Sequence, residues 1–134
     1  MNEFENSVVI PLRETLVSKL GFTFDPSDDP NGMFKGLRNE NYFLVFYYLQ
    51  EEEKIGLGFW HGNEKKFSST QKKYFLKIME QPEFTSDFSD FLDWGDQWII
   101  KYFEYKGREP KDIIEYLLLR FQQLEFAVNV LEID

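Results

Sequence analysis

Between Ile78 and Ile100 the chain holds six acids and no base: Glu80, Glu83, Asp87, Asp90, Asp93 and Asp96. Five large rings are interleaved with them, Phe84, Phe88, Phe91, Trp94 and Trp98. The stretch just before has the opposite character, with Lys65, Lys66, Lys72, Lys73 and Lys77 and no acid. Rings that anchor and carboxylates that select a basic counterpart are the chemistry of a protein–protein contact. The expectation is a partner-binding patch made of Phe88, Asp90, Phe91, Asp93, Trp94 and Asp96, fitted to a protein partner with a basic surface. The ordinary alternative is a loop whose rings are core anchors and whose aspartates are solvated turn formers.

Other chemistries find less support. Aspartates at every third position, Asp87 to Asp96, invite a calcium or magnesium reading, but the spacing matches no established cation loop. In Asp25 to Gly32 an EF-hand loop starting at Asp25 would put Pro30 where the sharp-turn glycine belongs. Starting at Ser27 puts Arg38 where the closing carboxylate belongs. The sole histidine, His61, follows Trp60 at the end of an expected strand, without a G-x-S-x-G elbow. Phosphate-cradling glycine loops are absent, and with no cysteine there is neither disulfide nor thiolate chemistry. No catalytic, cofactor-binding or metal-ligating residue is assigned, and no cofactor is expected.

The elements that must position the acidic segment follow from periodicity and punctuation. Ser7 is expected to cap a first helix ending at Leu20 before Gly21, although Pro11 argues for a start nearer residue 10. Val8, Leu12, Leu16 and Leu20 line its apolar face. Three strands are expected at Met33 to Leu37, Tyr42 to Leu49 and Lys54 to Trp60, joined by short polar breaks as a meander. The middle one is apolar on both faces and needs cover on both, from helices or a second subunit. Gly56 and Gly58 share one face of the third, inviting close approach of a helix.

Ser68-Ser69-Thr70-Gln71 reads as a capping box opening a second helix that ends before Pro82, with Tyr74, Phe75, Ile78 and Met79 as its buried stripe. Residues 83 to 96 read as a loop with one helical turn, and Gln97 to Tyr105 as a fourth strand. Pro110 opens a final helix with the stripe Ile113, Ile114, Leu117, Phe121, Leu124 and Val128. Leu119 and Phe126 fall opposite that stripe, to meet the first helix or a second copy of the chain in a homodimer.

The order α-β-β-β-α-β resembles the core of the PD-(D/E)XK nuclease superfamily. That resemblance implies magnesium held by acids beside an acid-x-Lys triplet. Glu52-Glu53-Lys54 supplies the triplet and Glu14 the helix acid. Asn39, Glu40 and Asn41 stand where the second-strand aspartate is expected.

Composition sets the class. In 134 residues, 43% hydrophobic and 19% aromatic, collapse outweighs chain entropy, and one core is expected without a dividing linker. A net charge of −9 is wrong for a general nucleic-acid coat, and no stretch is apolar enough to span a membrane. Met1 to Asn6 has neither a positive n-region nor an apolar h-region, so a cytoplasmic protein is expected. The reading is a single α+β domain over 1–134, of order α-β-β-β-α-β-α, with a four-stranded, mainly antiparallel sheet packed with helices. Its expected function is that of a non-enzymatic binding or regulatory protein, a small acidic inhibitor or immunity-type module acting through residues 83–98. The alternatives are a PD-(D/E)XK-like nuclease or its inactive relative, and an accessory nucleic-acid-binding domain using the Lys65 to Lys77 stretch.

Overall fold

Three central strands with most of their residues buried build the frame. In a computed structural model that describes residues 3–24, 31–37, 40, 42–62, 66–81, 89–105 and 107–129, a six-stranded sheet runs in the order β1-β2-β3-β4-β6-β5. The strands are β1 (Thr23–Phe24), β2 (Gly32–Leu37), β3 (Tyr42–Leu49), β4 (Lys54–Trp60), β5 (Ser89–Trp94) and β6 (Trp98–Glu104), and every pairing is antiparallel. The helices are α1 (Ile10–Leu20), α2 (Ser69–Met79) and α3 (Pro110–Asn129). The α+β class therefore stands, with two more strands than the four expected. β1 is only two residues long, and β5 occupies part of the stretch read as a loop. Two aspartates in Ser89-Asp90-Phe91-Leu92-Asp93-Trp94 lower strand propensity, but an edge strand needs only one neighbour and tolerates charge.

All three helices lie against one face of the sheet. Met33 and Leu37, then Tyr42, Leu44, Phe46 and Tyr48, then Ile55, Leu57 and Phe59, then Ile99 and Phe103, join Leu12, Leu16, Phe75, Leu117, Phe121 and Leu124 in one buried cluster. Helix cover thus serves only one side of β3. Its other side is closed in a different way. Cross-strand rows there set glycine beside bulk: Gly32, Tyr47, Gly56, Tyr102 alternate in one, and Gly58 lies between Val45 and Ile100 in the next, which starts at Phe34. Rings beside glycines can lie flat on the sheet. Phe34 stacks on Trp60 at 4.9 Å and Phe43 tilts against it at 5.1 Å, while Val45 and Tyr102 are buried. What approaches Gly56 and Gly58 is thus β6 rather than a helix. A Cβ on Gly56 would meet the Tyr102 ring at 2.7 Å, and one on Gly58 would strike the Ile99 carbonyl.

Several local expectations shift. Helix starts at Glu3, and Ser7, expected as its cap, instead donates its hydroxyl to the Glu3 carbonyl at 2.6 Å. A π-helical turn, Glu5–Val9, precedes α1 and brings the Ile10 N–H to the Glu5 carbonyl. The wider turn lies just where the Pro11 ring and its missing N–H would disrupt a regular α-helix. The stop is as read: Gly21 is left-handed at φ 77° and its N–H returns to Leu16. Ser68 and Gln71 form the full capping box. Tyr74, expected in the α2 stripe, is exposed, and Gln71 takes the buried place. Leu119 and Phe126, expected to meet the first helix or a second copy, are 47% and 69% exposed. Among the described residues no helix is long and apolar enough to cross a membrane.

Candidate binding surface

The acidic segment is organised by the β5–β6 hairpin. Trp94 pairs with Ile99 and Asp93 with Ile100, and the Gly95 N–H donates to the Trp98 carbonyl at 2.9 Å, leaving Asp96 and Gln97 as the turn. Gly95 sits under the Trp98 ring, which a Cβ there would meet at 2.6 Å. Trp98 itself is 39% exposed. Asp90 and Phe91 lie at an irregularity of register between Ser89 and Leu92, on the outermost strand of the sheet. Phe88, with Glu83, Phe84 and Asp87, lies outside the described residues.

The hairpin tip is fastened at two backbone points. His61 N–H donates to the Gln97 carbonyl and Phe67 N–H to the Asp96 carbonyl, both at 2.8 Å. These bonds tie it to the exit of β4 and to the chain entering α2. Asp96 then reaches the lysine-rich stretch, 3.2 Å from Lys72 and 3.8 Å from Lys66. Charges segregated in sequence are therefore partly paired in space, a juxtaposition with no signature in spacing. At 63% side-chain exposure the Asp96 carboxylate remains open to solvent, where such pairs contribute little.

Beside the hairpin, α2 presents a groove of about 640 Å³ lined by Ser69, Lys72, Lys73, Leu76, Lys77 and Glu80. At its far end Lys101 extends from the helix-covered face of β6 to within 3.5 Å of the Met79 carbonyl, where the α2 dipole is negative. Burial lowers the Lys101 pKa from its ordinary value, and Glu80 opposes that shift.

His61 is buried rather than presented. Its ring lies 5.1 Å from both Tyr42 and Phe67, and its Nδ1 has no hydrogen-bond partner among the described residues. Gln71 Nε2 donates to the Tyr42 hydroxyl at 2.9 Å, joining the α2 cap to the same cluster.

The acids of the nuclease-like triplet lie elsewhere. Glu52 and Glu53 are in the β3–β4 turn, Glu53 in a left-handed conformation at φ 52°, and Lys54 opens β4. Glu52 lines a groove of about 510 Å³ with Asn31, Tyr47 and Gln50. Glu14 lines a different one, of about 420 Å³, with Ile10, Arg13, Val17 and Phe24. Glu40 is a left-handed turn residue, while Asn39 and Asn41 lie outside the described residues. No three potential metal-ligating side chains converge among the described residues.

No family model, curated protein or solved structure matches this chain. A functional reading must therefore rest on the hairpin's geometry and on the charge it carries.

Proposed function

We propose that this is a non-enzymatic binding or regulatory protein that engages a basic protein surface through residues 83–98, as a small inhibitor or immunity-type module would. The observation that supports the reading is placement: Asp90 and Asp93 sit on the sheet's outermost strand, and Asp96 at the anchored tip beside it. Acidic residues carried on the backbone of a held edge strand lower the ordering cost of association. It also discourages the edge from pairing with another copy of itself.

The test uses the protein as bait in extract from its own cells. Wild type is expected to retain a basic protein released by salt. Asp90→Lys with Asp93→Lys should lower retention at least about tenfold, with the melting temperature nearly unchanged. Equal retention by the reversed variant would sink the reading.

The α2 groove, lined by three lysines, favours a second reading as a phosphate-contacting accessory domain. It requires salt-sensitive DNA binding that is lost when Lys73 and Lys77 are neutralised.

A further inference from the structure

β5 is the last strand of the sheet, and among the described residues only β6 pairs with it. The hairpin register shows which of its backbone groups that pairing uses. The Gly95 N–H donates to the Trp98 carbonyl, so those two residues form a hydrogen-bonded pair, and alternation makes Asp93 and Ile100 the next one. Trp94, opposite Ile99, and Leu92, opposite Lys101, are the intervening pairs. Their backbone N–H and C=O groups therefore point away from β6. A shift of register between Ser89 and Leu92 ends the regular ladder on one side, and the His61 and Phe67 N–H groups hold the hairpin tip on the other. At the opposite edge of the sheet, β1 is only two residues long.

We propose that the β5 edge takes up an extended, lysine- or arginine-rich segment of a protein partner as an added strand. The inference rests on the reading of residues 83–98 as the partner-binding segment, and it names the form of what binds there. Backbone chemistry sets that form: outward N–H and C=O groups repeating along a strand are met in spacing and direction by another extended backbone. Charge sets the composition. From Ile78 to Ile100 there are six acids and no base, and two of the acids, Asp90 and Asp93, belong to β5 itself. Opposite charges on neighbouring strands favour pairing and like charges oppose it. The β5 edge of a second copy is therefore disfavoured, and a basic strand is admitted. The anchored hairpin presents its edge already extended, so the ordering cost falls mainly on the incoming segment.

Two end-blocked peptides of about eight residues separate pairing from charge: one alternates lysine with valine, the other lysine with proline. Their charges are equal, but proline has no N–H and cannot complete a ladder. In titrations followed by NMR, the full chain should bind the valine peptide at least about tenfold more tightly than the proline peptide. In that complex the Leu92 and Trp94 amides should exchange with solvent at least about tenfold more slowly than in the free protein. The Asp93 amide, already directed at Ile100, should change little. Equal affinity for the two peptides, no added protection at Leu92 and Trp94, or no binding of either peptide at ~1 mM would each overturn strand addition. None of these results touches capture of a folded basic surface by charge. That reading fails on a different result, and strand addition by a basic segment with it: valine-peptide binding by Asp90→Lys with Asp93→Lys as tight as by wild type.

Discussion

Tyr105 is buried among Phe103, Tyr116 and the Arg120 side of α3. Burial pushes its hydroxyl pKa well above the ordinary value near 10, Tyr116 adds to the shift, and Arg120 opposes it. The folded state keeps a proton that the unfolded chain releases. The stabilisation is therefore whole below about pH 10 and declines as pH rises toward the folded value. In urea titrations at about pH 8 and about pH 11, wild type should lose more stability between the two than Tyr105→Phe. Equal losses would remove Tyr105 from the account. Lys101 behaves with the opposite sign. Its lowered pKa means the folded state gives up a proton first, so its contribution improves as pH approaches its ordinary range. Neither group stood out in the sequence, because desolvation depends on neighbours that are distant along the chain. Ser68 and Gln71 did stand out, since a capping box is local.

Elements were legible where their signals were short-range. The bounds of β2, β3, β4 and α2 follow apolar runs, the short polar breaks between them and a cap, all within a few positions. β5 was not legible, because an edge strand needs only β6 beside it and carries aspartates that propensity reads as loop. Gly58 is the element-scale test of the second sheet face. Its backbone is not left-handed, so only contact is at stake: any Cβ runs into the Ile99 carbonyl of β6. Gly58→Ala should cost about 3 kcal/mol or more in urea unfolding, or abolish soluble protein. A variant as stable as wild type would mean that β4 and β6 separate readily. The π-helical turn before Pro11 has the same lesson. Proline announced an irregularity, and packing of Val8 and Val9 into the core kept the helix continuous through it.

At the scale of the whole molecule, charge is the largest unspent term. With −9 on 134 residues, self-repulsion opposes the compact state, and exposed ion pairs such as Lys66 to Asp96 return little. Raising sodium chloride from ~20 mM to ~300 mM should therefore raise the melting temperature by a few degrees. A fall would show that ion pairs such as Lys72 to Asp96 outweigh the repulsion. Sequence by itself determined the α+β class, the central meander, both later helices and the acidic stretch after the lysines. These are written in neighbouring residues, in periods of two and 3.6 and in caps and turns. Tertiary structure decided that the acids from Asp90 to Asp96 lie on an edge hairpin, and that its tip touches the lysines. It also decided that glycine rows, rather than helices, close the second face of the sheet, and that Leu119 and Phe126 remain outside. Each of those outcomes depends on which strands and helices become neighbours in space, and one-dimensional spacing does not encode such distances.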